Sequence, residues 1–286
     1  MIISVWNQDD RDLSKAFTTL LASVATLLYP TKITVLENSM SGRLIGDMML
    51  GNTYSDELRE DGARFYEKGA GGSIVPYIES RYLKSGRMKN LVEIVERGLY
   101  YIPQYNDGSK VVFDLDFYDR MFEYKEQAQK ISDHLIIATA RNDSFTTPHV
   151  LEAADKVVVL IPFNALNISR FLDNYRSIRS KCIMVYLIHE DLIKNRENAN
   201  RLMRNYGFRK NEYYIIGYTD QMEYSEVRGK ILDYIRENLE HRHPEEQAFL
   251  NSLRRLCEEI FGKKELGMGY RSSTINDVLK KRDPES

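Results

Sequence analysis

A run of charged side chains fills the turn that follows the first apolar segment of the chain. Ile2–Trp6 is apolar and largely β-branched, and after it come Asp9, Asp10, Arg11 and Asp12. Phosphate-binding turns at such a position use glycines, because their backbone N–H groups must curl around phosphate oxygens. Residues 7–16 contain no glycine, and three carboxylates repel a triphosphate. These residue types disfavour phosphate chemistry and favour a charged protein contact through Asp9, Asp10, Arg11 and Asp12.

The elements that position this turn alternate between apolar runs and helical patterns. Apolar residues between 13 and 28 recur at intervals of three and four, which predicts a helix that ends before Pro30. Residues 42–98 are predicted to be mostly helix, and another helix is predicted around Tyr118 to Ile131. The predicted strands are 2–6, 32–36, 99–103, 133–138, 155–162, 181–188 and 213–217. Their continuous apolar character predicts an α/β fold with a doubly wound, mostly parallel sheet covered on both faces.

Composition limits the class of protein and its partners. Hydrophobic residues make up 43% and charged residues 29% of the 286 residues, which is typical of a globular chain. The formal net charge of −2 gives no general attraction to nucleic acid or anionic lipid. The two cysteines, Cys182 and Cys257, are too few for a disulfide framework or a zinc site. We therefore expect no metal and no nucleic-acid partner.

The chain is predicted to contain three parts. Residues 1–240 form the α/β domain, 241–269 form a C-terminal amphipathic helix, and 270–286 form a polar tail. The helix has a mixed polar face, with Glu258 and Glu259 beside Arg254 and Arg255. This mixture favours packing on the domain or on a partner over insertion in a membrane surface. Because the N-terminal segment lacks a charged n-region, we expect a cytoplasmic protein, with recruitment to the inner face of the membrane by a partner left open.

Three further patterns favour ordinary structural roles. The loop Gly69–Gly72 follows a charged helical stretch and not a strand, so it is expected to be a flexible loop. Arg170, Arg176, Arg179 and Lys181 are expected to form a solvated face, since Asp173 interrupts them. His241 and His243 have no nearby third ligand for a metal.

The order of elements and three segments resemble the MinD/ParA family of P-loop ATPases, the SIMIBI-class proteins with a deviant Walker A loop. Asp133–Ala140 resembles the family's Walker B strand, Leu151–Val159 its alanine-alanine-aspartate entry to a buried strand, and Ile216–Asp220 the segment after its last core strand. The resemblance covers residues 1–238. Residues 72–103 carry a weaker likeness to a subgroup, the TadZ-like and conjugative-element ATPase-like proteins. The resemblance implies the family's doubly wound fold.

At the phosphate side, the resemblance places Lys15 on the family's phosphate-binding lysine. Ser14 then replaces the preceding glycine, and Ala16 replaces the threonine that holds magnesium. We expect Lys15 to be a solvated lysine in the first turn of its helix; survival as a phosphate ligand is the alternative.

At the metal side, Ala138 takes the place of the Walker B aspartate and is followed by Thr139. Glu37 lies near an acidic position that would orient water in the family, although alone it is expected to be a solvated cap. Mg²⁺ needs oxygen ligands, which alanine does not supply. Lys15, Ser14, Ala16, Glu37, Ala138 and Thr139 are therefore predicted to line a vestigial nucleotide site with no catalytic residue.

These observations predict a ParA/MinD-like pseudo-ATPase that acts as a scaffold or localisation factor in a bacterial pilus, secretion, conjugation or partition-type assembly. No cofactor is expected, and the partner is a second copy or another protein. The alternative is a slow ATPase that binds ATP and Mg²⁺ through an atypical phosphate loop that keeps Lys15. A third interpretation is a doubly wound protein that binds another ligand in the same crevice.

Overall fold

The computed structural model describes ten stretches of the chain, and all structural statements below concern them. They are residues 1–8, 11–39, 44–50, 93–96, 98–102, 109–141, 144–162, 165–188, 192–240 and 244–262. The predicted interface residues Asp9 and Asp10, the loop at Gly69–Gly72, His241, His243 and the tail at 270–286 lie outside these stretches.

One eight-stranded sheet forms the centre of the molecule, in the order β3-β4-β2-β5-β1-β6-β7-β8. Seven strands are parallel, and β3 pairs antiparallel with β4 at the edge. The strands are β1 (Ile2–Asn7), β2 (Ile33–Glu37), β3 (Glu93–Glu96), β4 (Leu99–Tyr101), β5 (His134–Thr139), β6 (Lys156–Pro162), β7 (Cys182–Ile188) and β8 (Tyr213–Gly217). The prediction of a doubly wound, mostly parallel sheet is confirmed.

Helices cover both faces of the sheet. They are α1 (Arg11–Leu28), α2 (Ile45–Leu50), α3 (Lys110–Gln129), α4 (Thr146–Ala153), α5 (Ala165–Asn174), α6 (Leu192–Asn205), α7 (Asp220–Val227), α8 (Ile231–Glu240) and α9 (Pro244–Phe261), with a 3₁₀ helix at Arg176–Lys181. Helices α1, α2, α7, α8 and α9 contribute to the core on one face. The core on the other face takes its helical residues from α3 to α6 and the 3₁₀ helix.

Successive side chains of the apolar strands contribute alternately to the two cores. In β6, Val158 and Leu160 belong to the core under α1, whereas Val157, Val159 and Ile161 belong to the opposite core. Successive side chains of a strand point to opposite faces, so a strand buried on both faces needs apolar residues throughout. The uninterrupted apolar runs in the sequence are explained by this double burial.

Two aspartates hold the starts of neighbouring strands together. The Oδ2 atom of Asp155, just before β6, accepts a hydrogen bond of 2.6 Å from the backbone N–H of Ile2 in β1. The Oδ2 atom of Asp133, just before β5, accepts one of 2.8 Å from the backbone N–H of Lys32, just before β2. The aspartate of the alanine-alanine-aspartate segment is therefore a structural anchor between two strands.

Helix α9 packs on the domain. Phe249, Leu253 and Leu256 are fully buried in the core that also contains α1. The Lys156 Nζ atom donates hydrogen bonds of 2.6 Å and 3.0 Å to the carbonyls of Glu259 and Ile260 at the end of α9, where a cation is favourable. The predicted division of the chain at residue 240 stays a prediction.

Two parts of the fold differ from the sequence-based expectation. Within the region predicted to be mostly helix, residues 45–50 are helical but Glu93–Glu96 form the edge strand β3. Gly98 follows that strand with a φ of 89°, and a β-carbon there would lie 3.3 Å from the Thr31 carbonyl oxygen, so the turn requires glycine. The helix expected from Tyr118 begins two turns earlier, at Lys110.

Candidate functional site

The carboxyl ends of three central strands meet the first turns of α1. Strand β5 lies between β2 and β1, and its residue Ala138 is the register partner of both Glu37 in β2 and Val5 in β1. Ligands of doubly wound folds bind at this edge of the sheet. Lys15 and Glu37, which are 22 positions apart in the sequence, are brought together here.

A buried ion pair occupies the centre of this edge. The Lys15 Nζ atom lies 2.9 Å from Glu37 Oε2, and the two side chains are 1% and 0% exposed. The expectation of a solvated Lys15 and a solvated Glu37 cap is therefore wrong. A buried charge is costly unless it is paired, and each of these two side chains supplies the opposite charge for the other.

The Glu37 carboxylate is held by further donors. Its Oε1 atom accepts a hydrogen bond of 2.7 Å from the Tyr101 hydroxyl in β4 and one of 3.2 Å from the backbone N–H of Ile45 at the start of α2. One oxygen therefore fixes β4 and α2, and the other contacts Lys15 in α1. This arrangement makes Glu37 a junction between four elements.

Ser14 and Asn7 close the start of the site. The backbone N–H of Asn7 donates a hydrogen bond of 2.9 Å to Ser14 Oγ, and the Asn7 side chain donates one of 2.8 Å to the Leu160 carbonyl. The Ser14 hydroxyl thus takes a backbone partner at the end of β1. Both side chains are fully buried, so they join the end of β1 to the first turns of α1 from inside the fold.

The positions that the resemblance assigned to magnesium carry no carboxylate. Ala16 and Ala138 are buried methyl groups. The Thr139 hydroxyl is engaged inside the sheet, 2.6 Å from Ser4 Oγ and 3.2 Å from the Ile137 carbonyl. Among the described residues, no group of three or more His, Cys, Asp or Glu side chains could hold a metal ion. Within the described part of the chain, these positions offer no carboxylate to a magnesium–nucleotide centre.

A second polar network, which the sequence analysis did not identify, lies beside the ion pair. Asn38 follows Glu37; its Oδ1 accepts a hydrogen bond from the backbone N–H of Ala140, and its Nδ2 donates one of 3.2 Å to Thr146 Oγ1. Ser144 Oγ lies 2.7 Å from Thr146 Oγ1 and donates a bond of 3.2 Å to Asp114 Oδ2 in α3. The signal in the sequence is a polar residue directly after a buried strand, together with hydroxyl residues at the start of α4.

The remaining predicted site residues are at the start of α1. Arg11 and Asp12 lie in its first turn, and their contribution to an interface stays a prediction, as does that of Asp9 and Asp10. None of the helices in the described ranges is long and apolar enough to cross a membrane.

Solved structures with the same architecture include MinD proteins and a ParA family ATPase. No protein-family model and no curated protein sequence matches this chain. The ParA family ATPase of Chlorobium tepidum TLS matches with a TM-score of 0.60 at 12% identity, over 88% of this chain and 98% of that one. A chain of the MinC:MinD cell division protein complex of Aquifex aeolicus matches with a TM-score of 0.60 at 15% identity, over 92% and 96%.

A third match is the septum site-determining protein MinD of Pyrococcus horikoshii OT3, complexed with Mg-ADP. Its TM-score is 0.57 at 10% identity, over 89% of this chain and 95% of that one. The chain therefore has the P-loop NTPase fold of the MinD and ParA ATPases. At these identities, the similarity concerns the architecture, and the residues of the site have to be judged by their own geometry.

Proposed function

We propose that this chain is a pseudo-ATPase: a ParA/MinD-like protein that has lost nucleotide turnover and works through its surfaces. It acts as a scaffold or localisation factor in a bacterial pilus, secretion, conjugation or partition-type assembly. The single observation that carries the proposal is the buried contact between Lys15 and Glu37.

The ion pair competes with a nucleotide for Lys15. To face a phosphate, Lys15 would have to move away from Glu37. The Glu37 carboxylate, which is 0% exposed, would then lose the opposite charge beside it. Breaking a buried pair costs about 3–5 kcal/mol. At about 1.4 kcal/mol per factor of ten, that cost weakens nucleotide binding roughly a hundredfold to several thousandfold. The lysine that the resemblance assigns to phosphate thus serves the fold.

The metal side of the site supports the same conclusion. Mg²⁺ takes oxygen ligands, directly or through ordered water, and P-loop chemistry depends on that ion to neutralise charge developing on the phosphates. Ala16 and Ala138 supply no oxygen, and the Thr139 hydroxyl already has partners within the sheet. Among the described residues of the site, we assign no step of ATP hydrolysis to any side chain.

Loss of turnover leaves protein contacts as the mode of action. One of the solved structures with this fold is a MinC:MinD complex, which supports a protein partner or a second copy here. We assign the charged residues Asp9, Asp10, Arg11 and Asp12 to such a contact, in a cytoplasmic protein that a partner recruits to the inner face of the membrane. A TadZ-like or conjugative-element role is the finer form of this proposal.

Nucleotide titration tests the proposal directly. Trp6 is the single tryptophan and is fully buried, so its fluorescence reports on whether each variant remains folded. Calorimetry with ATP and Mg²⁺ is expected to show no saturable binding up to about 1 mM, a limit equivalent to about −4 kcal/mol.

The matched variants are Lys15→Met and Lys32→Met, the second at an exposed lysine before β2. A micromolar Kd that Lys15→Met abolishes and Lys32→Met preserves would overturn the proposal in favour of the slow ATPase. Micromolar binding that survives both substitutions would overturn it as well, because a nucleotide would then bind elsewhere. Circular dichroism of each variant confirms that the fold is retained.

A further inference from the structure

The outer face of α3 carries an apolar stripe that no described element covers. Val111, Leu115, Tyr118 and Phe122, which we call the α3 stripe, are all exposed, although α3 also buries its other face in the core through Phe113, Phe117 and Met121. The helix is therefore apolar on two sides. A second apolar side on a surface helix is typical of an interaction site.

The exposed area of this surface is large for a monomer. The exposed fractions are 62% for Val111, 50% for Leu115, 44% for Tyr118 and 66% for Phe122, with 47% for Val112 and 44% for Phe145 beside them. At about 150–250 Å² for each large side chain, these fractions amount to roughly 600 Å². That is the upper end for the largest apolar patch on a typical monomer. Two such surfaces bury roughly 1,200 Å², the lower bound for a specific, stable interface.

The spacing of the α3 stripe suits a second helix. Its members are four, three and four positions apart, the alternation found along the seam of a two-stranded coiled coil. Tyr118 also contacts α4 and the residue before it, with its ring centroid 4.4 Å from that of His149 and 6.3 Å from that of Phe145. The stripe is thus supported from the side and presents a fixed surface.

The sizes of the side chains along the α3 stripe indicate that the partner helix is α3 of a second copy. In an antiparallel pair of identical helices centred between Leu115 and Tyr118, Val111 faces Phe122 of the other copy, and Leu115 faces Tyr118. Small side chains then meet large ones at every level, as close packing requires. A parallel pair would instead place Phe122 on Phe122 and leave a gap between the two valines. The net charge of −2 opposes self-association only weakly.

We propose that two copies of this chain form a two-fold symmetric dimer without nucleotide, through antiparallel pairing of their α3 stripes. Such an interface is isologous, because the same surface is used by both chains. The inference does not depend on the proposed loss of nucleotide binding, since α3 lies on the face of the sheet opposite to Lys15 and Glu37.

Mass measurement of the full chain tests this inference. Light scattering after size exclusion, without nucleotide and at about 100 µM, which exceeds the micromolar Kd that a small interface supports, is expected to give twice the chain mass. The variant Leu115→Glu/Phe122→Glu changes only exposed positions and is expected to give the single-chain mass with an unchanged circular dichroism spectrum. The control Val227→Glu, at a residue 62% exposed on α7, is expected to stay dimeric.

Cysteine cross-linking tests the orientation. When Val111→Cys and Phe122→Cys chains are mixed and oxidised, the mixed disulfide is expected to exceed both self-linked products, whereas self-linked products in excess overturn the antiparallel arrangement. The native thiols interfere little, because Cys257 is fully buried and burial raises the pKa of Cys182 to about 12.

Two mass results would overturn the dimer itself. One is a wild-type chain that is monomeric at this concentration. The other is a dimer that Leu115→Glu/Phe122→Glu leaves intact, because another surface would then hold it together.

Discussion

Neutralising one partner of the Lys15–Glu37 pair is expected to destabilise the fold more than neutralising both. Glu37→Gln keeps an acceptor oxygen for the Tyr101 hydroxyl and the Ile45 N–H, which both bond to Oε1, but removes the charge opposite Lys15. Lys15→Met keeps the length of the side chain and leaves the Glu37 carboxylate uncompensated. Because each substitution leaves a buried charge, each is expected to lower the free energy of unfolding by about 3–5 kcal/mol.

The double variant Lys15→Met/Glu37→Gln leaves no charge at either of these two buried positions. Replacing both members of a buried pair by neutral groups of similar volume is often close to neutral. We therefore expect the free energy of unfolding of the double variant to exceed, by at least about 2 kcal/mol, the value that the sum of the two single losses predicts. This difference is within the range of couplings between contacting residues. Urea unfolding followed by circular dichroism and by Trp6 fluorescence gives the four free energies of this cycle.

An exposed pair provides the matched control. Arg236 and Asp233 in α8 lie 3.4 Å apart and are 29% and 56% exposed. Surface pairs contribute about 0–1 kcal/mol, so Asp233→Asn is expected to change stability by less than about 1 kcal/mol. Strictly additive losses in the buried cycle, or single losses as small as that of the control, would refute the claim that Lys15 and Glu37 form one structural unit.

Two further predictions concern carboxylates elsewhere in the fold. Asp155→Ala leaves the Ile2 N–H at the start of β1 without its 2.6 Å acceptor, so we expect a loss of about 1–3 kcal/mol in urea unfolding; an unchanged midpoint would contradict the anchoring role. Burial raises the pKa of Glu246 above its ordinary value of 4.5, although the hydrogen bond from Thr219 opposes this. Its stabilising contribution is therefore full below about pH 4.5 and is lost as the pH rises through the higher folded-state value. The Tm of Glu246→Gln relative to wild type should rise from about pH 4 to pH 7, and a constant difference would contradict it.

The fold could be predicted because its signals are local. A strand buried on both faces must be apolar throughout, as in β6, where residues 157–161 are all buried. The segment before β6 was identified by its resemblance, and the structure supplies the physical reason, the hydrogen bond from Ile2 to Asp155. Local patterns of this kind specify the elements and much of their order.

The features that the sequence did not predict depend on non-local contacts or on a helix that is apolar on two sides. Strand β3 has only four residues and pairs antiparallel at an edge, so no alternation long enough to read is present. The first two turns of α3 were missed because apolar residues on both sides of a helix hide its period. Lys15 and Glu37 were each singled out, but their pairing follows from the strand order, which the sequence alone does not give.

The alanine at position 138 and the ion pair beside it are consistent with each other. Glu37 and Ala138 are register partners on adjacent strands, whose backbones lie about 4.8 Å apart. An aspartate at 138 would add a second carboxylate next to Glu37, and two carboxylates sharing one site repel each other. Alanine adds no carboxylate at this position of β5, and Lys15 Nζ lies 2.9 Å from Glu37 Oε2. Alanine at position 138 is therefore compatible with the buried pair of Lys15 and Glu37.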